Sequence, residues 1–159
     1  MWAGTVAHNN FLGCGRIGDW ACHDMEHELS AVYDIAHGAG LAILYPAWMR
    51  YVSPKQPDKI RLFATRVLDI NTAGKTDGEV GEACAAFLSD FFRSIGLPAR
   101  FADAGLPADS VDIMARNACR HGSIGNYVCL HKEDVEAVYR HGRGTQRCHQ
   151  ADGRKHRKP

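Results

Sequence analysis

Apolar residues recur along most of this chain at helical spacing. Ile60, Phe63, Ala64, Val67 and Leu68 fall at i, i+3, i+4, i+7 and i+8. Val80, Cys84, Phe87, Leu88, Phe91 and Ile95 carry the same period over a longer stretch, as amphipathic helices facing a core do. Val111, Met114, Ala115 and Ala118 form a further stripe behind a cap at Asp109 or Ser110, and Val135, Val138 and Tyr139 another within 132–139. Upstream, residues 1–12 read as a helix already under way, with no cap or polar lead-in, as if the chain started in the middle of a larger protein. Trp20 to Tyr33 reads as a helix capped by Asp19, and Gly38 to Tyr51 as one that is apolar almost all round, hence central, and bent or divided at Pro46. Ser53-Pro54, the polar stretch 71–78 and Gly96-Leu-Pro98 break the pattern, and 122–130 reads as a loop with some extended character. No two alternating strands adjoin. The expectation is an all-α domain of about seven helices over residues 1–140, in which Phe63, Val67, Phe87, Leu88 and Phe91 bury against one another.

Composition changes this picture at one end. The 159 residues are 45% hydrophobic and 23% charged, enough for one soluble domain with a sizeable core. The formal net charge of +1 is unevenly placed. Residues 141–159 hold six Lys/Arg against one acid and show no apolar period, which reads as a basic, disordered or non-native tail. A frameshifted or truncated reading frame would produce so abrupt a change. The remaining body is mildly acidic, which argues against nucleic acid as a partner. The six cysteines form no C-x-x-C pair and no signal peptide precedes them, so reduced thiols in the cytoplasm are expected. No apolar run approaches the ~20 residues that span a bilayer, so no membrane partner is expected.

The chemistry concentrates between residues 18 and 40. His23 and His27 are four apart and share a helix face, among Asp24, Glu26 and Glu28. His37 follows just past the expected helix end, where a turn rich in glycine at Gly38 and Gly40 would fold it back toward the pair. Imidazoles so gathered suit zinc or divalent iron. His23-Asp-Met-Glu26-His27 also fits H-x-x-E-H, an inverted zinc-protease motif with Glu26 as general base and Glu79 or Glu82 as third ligand. Gly13-Cys-Gly15-Arg-Ile-Gly18 matches a dinucleotide-binding glycine pattern but lies in no strand–turn–helix context, and reads as a loop. A non-catalytic helical interaction module is the third reading.

Asp19-Trp20-Ala21, His23-x-x-x-His27-Glu-Leu-Ser-Ala, Asp34-x-x-His37-Gly-x-Gly-Leu-Ala and Pro46-Ala-Trp-Met together resemble iron-containing alcohol dehydrogenases, in particular the bacterial butanol dehydrogenase branch. Leu62-Phe-Ala-Thr-Arg66, Phe91-Phe-Arg-Ser-Ile-Gly-Leu-Pro98 and Gly122-Ser-Ile-Gly-Asn126 extend the similarity, in order, to about residue 140. The resemblance implies the helical C-terminal domain of the dehydroquinate synthase-like, iron-alcohol dehydrogenase fold, without the N-terminal α/β nucleotide-binding domain that would hold most of the NAD(P)H. It implies hydride transfer between NAD(P)H and a small alcohol or aldehyde, aided by a divalent metal, Fe2+ or Zn2+. Two of the family's metal-binding histidines match His23 and His37. Its remaining ligands, an Asp and a His, lie upstream and match nothing here. His27 matches a catalytic position beside the nicotinamide and substrate. The expected partners are therefore the missing domain and the substrate, with homo-oligomer formation left open, and the piece alone is expected to be inactive.

Overall fold

Seven α-helices form among the described residues, which are 1–9, 11–107 and 109–144 of the computed structural model. They are α1 (Trp2–His8), α2 (Ala21–Tyr33), α3 (His37–Val52), α4 (Asp58–Arg66), α5 (Asp77–Ser94), α6 (Val111–Ala118) and α7 (Lys132–Arg143), with short 3₁₀ turns at Phe11–Gly13 and Phe101–Ala104. Among these residues the only β pairing is one isolated antiparallel bridge, Ile124 to Leu130, inside the stretch read as partly extended. None of the helices is long and apolar enough to cross a membrane.

The central place of α3 follows from its composition. Eight of its residues are buried, Gly40, Ala42, Ile43, Leu44, Pro46, Ala47, Met49 and Val52, and it packs on α2, α5 and α7. Pro46 does not end it. A proline inside a helix costs about 3 kcal/mol by removing one N–H bond and crowding the preceding turn. Here apolar burial on both sides of Pro46 offsets that cost.

Two apolar clusters sit on either side of α3. The larger gathers Met25 and Leu29 of α2, Ile43 and Leu44 of α3, Met114 of α6 and Val135, Val138 and Tyr139 of α7. Its one long polar group is satisfied: the buried Tyr139 hydroxyl donates to the Met25 carbonyl at 2.7 Å. The smaller gathers Met49 and Val52 with Ile60 and Ala64 of α4 and Val80 and Cys84 of α5.

The expected aromatic core is not the one that forms. Phe87, Phe91 and Val67 are 47%, 50% and 65% exposed, while Phe63 and Leu88 are half-buried beside the smaller cluster. The buried face of α5 is instead Val80, Gly81, Cys84, Ala85 and Ser89. Its small residues let the helix approach α3 closely: a Cβ on Gly81 would lie 2.4 Å from that of Ser53. The α5 sequence carries two apolar stripes, and close packing selects the one with the smaller side chains.

Helix ends also move. Residues 1–12 do not form one helix: α1 stops at His8, and neither it nor the following 3₁₀ turn buries a residue. α5 starts inside the stretch read as a loop, through a capping box in which Thr76 Oγ1 accepts from the Glu79 N–H and Glu79 Oε2 from the Thr76 N–H. α7 runs on to Arg143, with Gly142 packed near Phe101 and Ile43, so the ordered helix passes the expected boundary at 140. The expectation for residues 145–159 lies outside the described residues.

Candidate metal centre

The site is built where α2 turns into α3. Asp19 precedes α2 and ties its start down: Oδ1 accepts from the Ala21 N–H at 2.8 Å, and Oδ2 from the Asn126 and Tyr127 N–H groups at 3.1 and 2.6 Å. Trp20 rather than Asp19 holds the formal cap position. α2 ends at Asp34 in left-handed geometry, φ 51°, which a short polar side chain tolerates. The reversal is therefore made by residues 34–36. Gly38 and Gly40, expected in the turn, lie inside α3, and His37 is that helix's first residue.

This turn sets the three imidazoles side by side. The His37 ring centroid lies 5.3 Å from that of His23 and 5.4 Å from that of His27, with His27 stacked at 25°. Trp20 meets His23 edge-on at 4.9 Å. His27 and His37 are exposed and His23 is half-buried. His27 also borders a cavity of about 290 Å³ shared with Asp24, Asn117, Arg120 and His121.

Two features suit a cation. His23 Nδ1 is buried with no hydrogen-bond partner, which is costly for a polar atom unless something else occupies its lone pair. Burial first, then the neighbouring His37 and His27, lowers the His23 pKa against the opposing pull of Asp24 and Glu26, so its neutral, ligating form is favoured. Behind the rings, Glu26 is fully buried, paired through Oε2 with His37 Nδ1 and through Oε1 with Ser30 Oγ. By ligand-atom distances alone, Glu26, His27 and His37 form a possible metal-binding trio, their atoms within 4.8 Å of one another. The sequence sets Glu26 among the acids flanking the histidine pair and, in the protease reading, as general base, and nothing in its spacing indicates that it faces His37.

The zinc-protease alternative loses its parts. Glu26 lies beneath the His37 ring, Glu79 is spent in the α5 capping box, and Glu82 is held by Arg50 at 2.7 and 3.1 Å. Among the described residues, the Gly13–Gly18 pattern follows no strand. The five described cysteines are unpaired, and burial pushes the Cys22 thiol well above its ordinary value.

A model of the Fe-containing alcohol dehydrogenase family, C-terminal part, matches residues 1–142. Among curated proteins, the "Probable NADH-dependent butanol dehydrogenase 1" of Bacillus subtilis (strain 168) is 43% identical over 138 residues, which is 87% of this chain and 36% of that protein. The "NADPH-dependent aldehyde reductase YqhD" of Escherichia coli (strain K12) is 35% identical over 122 residues, 77% of this chain and 31% of that protein. The crystal structure of NADH-dependent butanol dehydrogenase A from Thermotoga maritima superposes with a TM-score of 0.78 at 35% identity, covering 89% of this chain and 37% of that one. The chain thus spans about a third of the length of these proteins.

Proposed function

The chain belongs to the Fe-containing alcohol dehydrogenase family, and on that premise we propose that it is the metal-holding helical part of an NAD(P)-dependent oxidoreductase that interconverts small alcohols and aldehydes. His23 and His37 provide two ligands for a divalent metal, Fe2+ or Zn2+. The remaining ligands and most of the nicotinamide site belong to the two-thirds of the relatives' length that this chain does not span. When bound, the metal supplies Lewis-acid polarisation of the substrate carbonyl. His27 contacts substrate and nicotinamide at the exposed edge of the imidazole group, and Trp20 screens the His23 side from water. On this reading the enzyme works in the cytoplasm.

The observation that carries this reading is the convergence of three imidazoles from two helices, with an unsatisfied buried nitrogen on His23. The test pairs calorimetric titration with Zn2+ against absorbance at the nicotinamide band. The chain by itself should bind the metal weakly and oxidise no alcohol with NAD or NADP. Adding the N-terminal portion of a relative, fused or as a separate chain, should restore tight binding and turnover. His23→Ala and His37→Ala should then abolish metal binding, and His27→Ala should spare it while lowering turnover. Tight stoichiometric binding by the chain alone, lost with His27→Ala but kept in His23→Ala, would replace this site with one built on Glu26, His27 and His37.

A further inference from the structure

Among the described residues, Glu26 is the one carboxylate with no exposed surface. A buried carboxylate is costly unless its oxygens are engaged, and both of these are. Oε2 faces His37 Nδ1, and Oε1 faces Ser30 Oγ, which also reaches the Ile35 carbonyl at 2.9 Å. The group thus ties the middle of α2, the reversal at residues 34–36 and the first residue of α3 into one network. The His37 side chain is 47% exposed while its partner is wholly buried. One ring nitrogen therefore meets the protein, and the other is left to the open side, where His23 and His27 lie.

A neutral imidazole carries one hydrogen, on either nitrogen. A carboxylate accepts only, so Glu26 selects the tautomer with the hydrogen on Nδ1 and leaves the Nε2 lone pair bare. The backbone is fitted to this contact. A Cβ at position 40 would lie 2.3 Å from Glu26 Oε1 and under 3 Å from its Cγ and Cδ. Gly40 is thus required by the carboxylate beneath it rather than by a turn.

We propose that Glu26 is a positioning residue for the metal: through Nδ1 it fixes the tautomer and ring orientation of His37, so that Nε2 is presented as a ligand, with Ser30 and Gly40 holding the carboxylate in place. The inference rests on His37 being a metal ligand, as argued above. It assigns Glu26 no direct bond to the metal and no proton transfer.

The test has two independent arms on the full chain. In the first, the metal-free protein is labelled with 15N in its histidines and long-range 1H–15N spectra read the His37 tautomer. Nδ1–H with a bare Nε2 is expected in the natural chain, with the Nε2–H form rising in Glu26→Gln, which preserves side-chain shape. An Nε2–H tautomer in the natural chain overturns the proposal without recourse to any variant. In the second arm, Co2+ is titrated and its visible bands recorded. Glu26→Gln should weaken Co2+ binding by about 10–100-fold, with band positions nearly unchanged because the ligand atoms are the same. Unchanged affinity overturns the positioning role, and bands altered as for a lost oxygen ligand overturn it in favour of direct ligation. Unchanged Co2+ affinity in both His23→Ala and His37→Ala would instead overturn the metal reading itself, whatever tautomer the first arm finds.

Discussion

At the scale of single residues, hydrogen bonds at helix starts determine how this chain responds to acid. Asp134, in the first turn of α7, accepts from the His131 N–H and Lys55 Nζ, each at 2.9 Å, and from the Tyr51 hydroxyl. Burial alone would raise its pKa, but these three donors outweigh burial and hold it at about 2. The folded value lies below the ordinary carboxylate value of about 4. The stabilisation is therefore fully present above about pH 4 and lost as the pH falls through about 2. Asp134→Asn should accordingly destabilise the protein at pH 7, and the gap from the natural chain should narrow as the pH is lowered from 4 to 2. Urea melts of both proteins across that range would show it. A gap that stays constant with pH would mean the donors bond the amide as well as they bond the carboxylate.

At the scale of elements, α5 shows how two apolar stripes compete for one core. Its phenylalanines point largely outward, while Gly81, Cys84 and Ala85 meet α3. Gly81→Ala should cost about 1–3 kcal/mol, because the added carbon overlaps Ser53, whose hydroxyl is itself bonded to the Asp77 carbonyl. Phe91→Ala should cost less than about 1 kcal/mol, far below the ~3–5 kcal/mol of a fully packed phenylalanine. Parallel denaturant melts would check the order, and the reverse order would place the aromatic stripe in the core after all. The α2–α3 pair follows the same logic at shorter range. His37-Gly-Ala-Gly40 answers Glu26 across the two helices, so the motif is a packing unit.

At the scale of the whole molecule, α3 is the shared wall of both apolar clusters: Ile43, Leu44 and Ala47 serve one, Met49 and Val52 the other. Neither cluster can lose its packing without exposing a face of this helix. Helix loss followed by far-UV circular dichroism and the fluorescence of Trp48, which packs against both clusters, should therefore share one midpoint in denaturant. Two separated transitions would show the clusters to be independent units. The face carrying His27 and His37 is exposed, as is the apolar surface of Trp2, Phe11, Ile17 and Trp20 that precedes it in the chain. These exposed groups lie in a chain that spans just over a third of its relatives' length.

The sequence by itself determined the helices and the histidines that converge. Repeated apolar spacing marks α2 to α7 to within a few residues, since a helix buries one face only if its apolar residues return every 3.6 positions. The interval from His23 to His37, with His27 between, identified the imidazoles that come together, and the surrounding motifs identified the family. Only the tertiary structure decided which stripe of α5 is inside, because periodicity records direction around a helix and not the distance to its neighbour. Only it showed that Asp34 makes the reversal while Gly40 makes room. The pairing of Glu26 with His37 was invisible for the same reason. It spans eleven residues and two helices, and its sole trace in the sequence is a glycine whose missing side chain would have overlapped a buried carboxylate.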